Sequence, residues 1–502
     1  MDPGQPLSQR KDSPRDSPRD SPRDSRDIPV ERASEFEWII PKGAVPGMNS
    51  HSRLIASELL LGNMRNDRTL RQLSNISTLP GLVAPPVAMP DAHEGYGFPI
   101  GGVAALDIET GGISPGGIGY DINCGVRLIR TNLRAEDVFQ KIKPLLEALS
   151  KRVPSGVGRG SKRKLSPKDV DSVLEEGILS KALSKPLFVG DSEFCEEGGT
   201  MDFARADKVS DDAKKRGKDQ LGTLGAGNHF LEIQRVSEIL DPESAKAFSL
   251  EEGQAVIMVH CGSRGLGHQT CSDYLRTIEG KFPQELSRLP DRELAYAPAH
   301  SKECESYFSA MTGAVNFAFA NRQEITSGIR DAFSEVFRAD AEKLGMTLLY
   351  DVCHNIAKIE EHSGRKCYLH RKGATRALGP GRKELPKEYR AVGQPVILPG
   401  SMGTGSFVLV GNATSHEKSF GSTAHGAGRI MSRGESLRRN RGEDVARTLE
   451  GRGIIVKSAS WRSIAEEAPE SYKDVDEVAR VSGGAGIAGI VAKLRPMGVL
   501  KG

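Results

Sequence analysis

The chain has 502 residues, with 69 Lys and Arg against 66 Asp and Glu and seven cysteines; at ~100 to 200 residues per domain this allows two to four domains or one elaborated one. The formal charge of +3 is too small to signal a polyanionic partner by itself, and an odd number of scattered cysteines is no disulfide framework but suits a reducing compartment. No run of 18 apolar residues occurs and the polar, proline-rich start has no secretory h-region, so the expectation is a protein with no membrane partner, in the cytoplasm or, in a eukaryote, the nucleus.

Residues 10–27, "RKDSPRDSPRDSPRDSRD", repeat Asp-Ser-Pro-Arg without a large apolar side chain. Such a segment cannot bury enough surface to offset its ordering entropy. A disordered tail over residues 1–30 and one domain over 31–502 are therefore expected, with order starting near "FEWIIPKG", residues 36–43. The Ser-Pro steps are phosphorylation candidates, although a solvated leader is the simpler reading. From Ile40 to Arg134 the chain is rich in Gly and Pro with short apolar runs, a pattern of strands and turns rather than long helices. Helix-rich insertions are expected at about 136–220 and 271–345. In the second, Ile325, Ile329, Phe333 and Val336 recur at helical spacing, and Lys343 with Gly345 supply a stop. Two apolar runs, "AVIMVH" and "LLYDVCH", read as buried strands that deliver His260 and His354 at their C-terminal ends.

"LGAGNHFLEIQ", residues 224–234, adds a third histidine. On an extended strand His229 shares a face with Leu231 and Ile233, while Asn228, Phe230 and Glu232 face the other way. In "GGIGYDINCGVR", residues 116–127, Asp121 and Cys124 can converge only through a turn, which Gly117, Gly119 and Gly125 make easy. Any one of these residues is unremarkable as a core histidine or small hydrophobe. Together, one Asp, one Cys and three His form a plausible metal-ligand set, for which ligand softness alone favours zinc.

No G-x-x-x-x-G-K-[ST] occurs, so a P-loop NTPase is excluded at motif level. "GAGIAG", residues 484–489, follows a helical segment and reads as packing glycine. "PGSMGTGSF" (399–407) and "STAHGAGR" (422–429) instead offer backbone N–H groups beside small residues, a surface that a phosphate can approach. His425, in the second, could act as base, ligand or nucleophile.

These stretches, with "PDAHEGYGFPIGGVAA" (90–105), "HCGSRGLG", "CHN", "HRKGATRA", "EEAPESYKDVDEV" and the terminal "RPMGVLKG", resemble the RtcB family of GTP-dependent RNA ligases from about residue 36 onward. The resemblance implies an α+β fold of the RtcB type, with central β-sheets and peripheral helices around one dinuclear metal site. It implies two manganese ions rather than zinc, bridged by Cys124, with Asp121 and His229 on one and His260 and His354 on the other. It makes His425 the nucleophile that takes GMP from the co-substrate GTP. It places the nucleotide on Asn228, His229, Phe230, Leu231, Glu232, His354 and Asn355. Further contacts fall on Pro399, Gly400, Ser401, Met402, Ser406, Gly426, Ala427, Gly428, Tyr472 and Lys501. The implied activity joins RNA 2′,3′-cyclic phosphate or 3′-phosphate ends to 5′-hydroxyl ends, in tRNA splicing or RNA repair, with an archease-type activator as a further partner. A metal-dependent RNA phosphodiesterase acting on cyclic phosphate ends is the alternative. Arg127, Arg264 and Arg429 flank the motifs and are candidates for RNA phosphate contacts or for ordinary ion pairs. Two positions depart from the family pattern: Cys261 stands where a small hydroxylated residue is expected, and Phe407 where a Tyr is.

Overall fold

Two large sheets carry this α+β fold in the computed structural model, which describes residues 25–502 other than 157 and 162. One, of seven strands, runs Glu31–Arg32, Glu37–Ile40, Ser52–Ile55, Val87–His93, Ile100–Asp107, Arg365–Lys372, Asn355–His362. The other, of eight, runs Leu348–Cys353, Gly125–Arg134, Gln254–Cys261, Phe230–Ile239, Ala488–Lys501, Ser406–Gly411, Pro395–Leu398, with Ile455–Ser458 parallel to Ala488–Lys501. The outer strands Leu348–Cys353 and Pro395–Leu398 touch, so this second sheet is nearly closed. Its strand Gln254–Cys261 is apolar from Ala255 to Val259 because both faces are covered: Ile257 and Val259 join one core layer, Val256 and Met258 another. The strand register sets the site, since Phe230 and Val126 both lie opposite His260 and Cys353 lies opposite Gly125.

Short helices, Glu58–Arg65 and Thr69–Ile76, interrupt the strand-rich region, and Ala135–Gln140, Ile142–Arg152, Pro167–Glu176 and Asp211–Gly217 lie along the expected first insertion, with only short 3-10 turns between Glu176 and Asp211. One helix of the second, Lys302–Phe337, goes further in. It runs 36 residues, starts where Ser301 Oγ accepts the Cys304 N–H, and is buried along most of its length. It stops earlier than Lys343 and Gly345 indicated. Arg338 takes the left-handed conformation (φ 56) that ends it, and Gly345 (φ 62) closes a separate turn beyond.

Residues 1–24 of the expected tail lie outside the described residues. The remainder, 25–30, packs: Ser25 and Ile28 are buried, and Ser25 Oγ donates to Asp67 O at 2.6 Å and accepts the Arg71 N–H. Order therefore begins before Phe36, because Ile28 supplies the apolar anchor that the repeat itself lacks. All seven cysteines are free and buried. The described residues contain no helix long and apolar enough to cross a membrane. "GAGIAG" leads out of the helix Val475–Gly484 into the strand Ala488–Lys501, the reverse of a dinucleotide-binding turn.

Arg127 is an ion pair and not an RNA contact. It is fully buried, with Nε 2.7 Å from Asp351 Oδ2, while Arg322 of the long helix reaches the other oxygen at 2.8 Å. One carboxylate thus balances two guanidinium groups inside the core. Asp351→Ala leaves both uncompensated and is expected to cost at least about 3 to 5 kcal/mol, read as a lower urea midpoint at unchanged m-value.

Candidate active site

Asp121 and Cys124 meet across a tight turn in which the Cys124 N–H donates to Asp121 O at 2.9 Å. The residue that makes the turn is Asn123, in the left-handed region at φ 50, a conformation asparagine tolerates better than most. It is locked there. Its Nδ2 donates to Val315 O at 2.8 Å, its Oδ1 accepts from Arg322 Nη2 at 3.0 Å, and its carbonyl accepts from Arg322 Nη1 at 2.9 Å. Of the three glycines expected to shape this turn, Gly119 alone has a left-handed φ, 96°. Gly125 serves close packing, since a Cβ there would lie 2.4 Å from Val352 O.

Around Cys124 Sγ stand His260 Nε2 at 3.2 Å and His229 Nε2 at 3.5 Å. His354 Nε2 lies 3.3 Å from His260 Nε2, and Asp121 Oδ2 2.8 Å from His229 Nε2. These atoms form two sets that share the thiol, Cys124–His260–His354 and Asp121–Cys124–His229. The donors fit cations: ring nitrogens converge on one sulfur, and His229 uses its other nitrogen to hold Leu224 O at 3.0 Å, the orienting bond typical of a ligating imidazole. Burial raises Asp121 but His229 beside it wins, holding the carboxyl at about 2. Burial and the Asp121 charge push the Cys124 thiol up to about 12; a bound cation reverses that balance and deprotonates it. Cys261 next door is occupied, with Sγ donating to Leu224 O at 3.3 Å and accepting from Asn321 Nδ2 at 3.2 Å. Phe407 is buried, with Lys493 Nζ 5.2 Å above its ring.

Cys124, His260 and His354 form part of the wall of a cavity of about 690 Å³, a volume suited to a nucleotide-sized ligand. His425 enters it from the end of the short strand Ser422–Ala424, its ring centroid 4.7 Å from that of His354. Asp91 positions it. Oδ2 of that buried carboxylate lies 2.5 Å from His425 Nδ1 and accepts the N–H groups of His425 at 3.0 Å and Gly426 at 3.3 Å. The carboxylate stands against Nδ1, an ion-pair contact rather than an aligned hydrogen bond, and marks Nε2 as the nitrogen available for chemistry. Gly428 allows the loop this close, because a Cβ there would lie 2.2 Å from Asp91 O.

A family profile described as tRNA-splicing ligase RtcB matches residues 72–502. The chain belongs to the RtcB family. It is 51% identical over 483 residues to a tRNA-splicing ligase RtcB of Thermococcus kodakarensis, covering 95% of this chain and 99% of that one. It is 50% identical over 484 residues to that of Pyrobaculum aerophilum, covering 95% and 100%. To RNA-splicing ligase RtcB homolog 1 of Entamoeba dispar it is 47% identical over 480 residues, covering 92% and 89%.

Of the residues that the RtcB resemblance places on a nucleotide, Asn228, Phe230, His354 and Asn355 line the cavity, as do Pro399–Met402, His425–Gly428, Tyr472 and Lys501. Four do not. His229 faces the thiol behind the wall, and Leu231 is in the core. Glu232 is buried, accepts from Gln234 Nε2 at 2.7 Å and is pushed by burial to about 8. Ser406 Oγ accepts the Gly400 N–H at 3.1 Å and so shapes the loop from behind. Lys501 reaches the cavity from the last strand of the sheet. It pairs with Phe230 and Ser458 within the sheet, and its Nζ donates to His229 O at 3.1 Å. Burial lowers its ammonium to about 8 against the pull of Glu467 and Glu232. The Tyr472 hydroxyl donates to Glu467, and the Arg429 guanidinium lies 5.0 Å over its ring. Arg264, half-buried, donates from Nε to Thr223 Oγ1 at 3.4 Å.

Sequence reasoning gave no role to Asp91, Lys372 or Glu467, although each stands in a quoted motif. Their signal was the motif alone. Glu467 is buried under Tyr472, Arg429 and Arg433. Lys372, lowered by burial to about 7, holds the carbonyls of Tyr96 and, at 3.0 Å, Gly116.

Proposed function

We propose that this RtcB chain is a GTP-dependent RNA ligase that works through a guanylylated His425. The observation that carries the reading is the Asp91–His425 pair, with His425 lining the same cavity as Asp121, Cys124, His260 and His354 of the two Cys124-centred donor sets. Two manganese ions, one on Asp121, Cys124 and His229 and one on Cys124, His260 and His354, would supply charge neutralisation for phosphate oxygens.

His425 Nε2 attacks the α-phosphorus of GTP; the N–P bond forms as the P–O bond to pyrophosphate breaks. Asp91 keeps the proton on Nδ1 and balances the charge that grows on the ring. Backbone N–H groups of the loops Pro399–Met402 and His425–Gly428 and the Lys501 ammonium hold the nucleotide. Water opens an RNA 2′,3′-cyclic phosphate to a 3′-phosphate. That phosphate attacks the histidine-bound GMP, breaking N–P and restoring His425. The 5′-hydroxyl of a second RNA then attacks the activated 3′-phosphorus, expels GMP and leaves a 3′,5′ linkage, as tRNA splicing and RNA repair require. The archease-type activator belongs to the same family reading.

Incubation with α-labelled GTP and manganese, then denaturing separation, should show a labelled chain whose label is lost in acid and stable to alkali. Opening of cyclic phosphates without any adduct would instead favour the phosphodiesterase, which needs neither a covalent histidine nor a nucleotide loop.

A second test falls on the end of the chain. Deleting Lys501 and Gly502 removes an ammonium from the cavity wall, an interaction of roughly 1.5 to 3 kcal/mol. Guanylylation at limiting GTP should fall roughly 10- to 150-fold, and sealing of a pre-guanylylated RNA much less. Equal losses in both assays would mean general misfolding.

A further inference from the structure

Part of the cavity wall has no role in the reaction as described. Tyr96 and Tyr120 both line it. Their rings lie 5.5 Å apart with a tilt of 59°, and His268 stacks on Tyr120 at 4.7 Å and 23°. The three rings form a row from Tyr96 through Tyr120, the residue before Asp121, to the exposed imidazole of His268.

The row is held rigidly. Gln72 clamps Gly95 on both sides, with Nε2 donating to Gly95 O at 2.7 Å and Oε1 accepting the Gly95 N–H at 3.0 Å. Lys372 Nζ holds the Tyr96 carbonyl from below. Gly97 (φ 68) lets the chain pass where a Cβ would lie 2.3 Å from Glu293 O, and Gly119 (φ 96) turns it before Tyr120. Two half-buried tyrosines fixed this way add aromatic surface to the wall of a cavity whose other lining suits phosphate and metal. A flat π-system is the partner such faces take, and base–aromatic stacking tolerates any base. Within the proposed reaction Tyr472 and Phe230 are already among the contacts of the GTP nucleotide. A strand that enters from outside and delivers its end to the Cys124 sets can pass along this row.

We propose that Tyr96, Tyr120 and His268 form a stacking platform for a terminal nucleobase of the RNA being joined. The proposal rests on the RNA ligase reading. The shared ligand chemistry is a nucleobase, which either the 3′-phosphate strand or the 5′-hydroxyl strand can supply.

The test uses the full chain with manganese and no GTP, titrated against RNA carrying 2-aminopurine either at the 3′-terminal nucleotide of a 3′-phosphate strand or at the first nucleotide of a 5′-hydroxyl strand. Fluorescence quenching in one arm is expected and identifies the strand. Tyr96→Leu and Tyr120→Leu should each remove most of the quench and weaken binding of that strand roughly 5- to 150-fold. Tyr120→Phe, which keeps the ring, should retain both. Because Tyr120 adjoins a candidate metal ligand, metal content and melting temperature are measured alongside, and Tyr96→Leu carries the test in a position remote from Asp121 in sequence. A wild-type chain that takes the GMP label and joins RNA while neither arm is quenched overturns the platform, as do leucine variants that bind and quench like wild type. A wild-type chain that neither takes label nor joins RNA overturns the ligase reading itself.

Discussion

His425→Ala is expected to abolish the covalent GMP adduct, by at least about three orders of magnitude, while leaving the fold and bound metal unchanged. The ring touches His354 and Asp91 but belongs to neither metal-ligand set, so its loss removes the nucleophile without opening the metal centre. The variant should still seal an RNA supplied with a pre-guanylylated 3′ end, because that step needs only the 5′-hydroxyl and the activated phosphorus. Asp91→Asn is the finer test. It keeps the shape but can present an N–H to Nδ1, which favours the wrong tautomer, and the same change in a Ser-His-Asp triad costs roughly four orders of magnitude. An adduct retained at full yield in His425→Ala would refute the nucleophile assignment.

Cys124→Ala should remove more than one equivalent of metal, since its sulfur is the single atom common to both donor sets. His260→Ala touches one set and should lower the stoichiometry by no more than one. The fold should survive Cys124→Ala, because the side chain is small and the turn is held by Asn123 and Arg322 rather than by the thiol. Elemental analysis of purified protein reads both outcomes, and unchanged metal content in Cys124→Ala would return this cysteine to plain packing.

Residue type and local pattern made much of this legible. The runs ending in His260 and His354 are strands, as their apolar continuity indicates, and the period-two face of Leu231 and Ile233 does point into one core layer while Phe230 points into another. The helical spacing of Ile325, Ile329 and Phe333 belongs to a real helix. Its stop was misread because Arg338 ends it in a conformation that sequence rules reserve for Gly or Asn. The turn at Asp121 was credited to glycines because φ > 0 is their usual property, yet Asn123 takes it, held by an arginine 199 positions away.

What the sequence by itself determined is the inventory: one Asp, one Cys, the histidines, the small-residue loops, and membership of a family through long motifs in one order. Periodicity reports only which face of its own element a side chain occupies. Which histidine meets which donor depends on sheet register and on packing between distant segments, and these are decided by burial across the whole chain. Thus His260 faces Cys124 because Val126 and Phe230 are its register partners, and Asp91 holds His425 across 334 residues of sequence. The chain end makes the same point. Local rules expect the last residues to fray, but the strand Ala488–Lys501 runs through the interior of a sheet, paired on both sides. Its hydrogen bonds and the burial of Val499 and Leu500 hold Lys501 at the cavity, a placement no local property of "RPMGVLKG" contains.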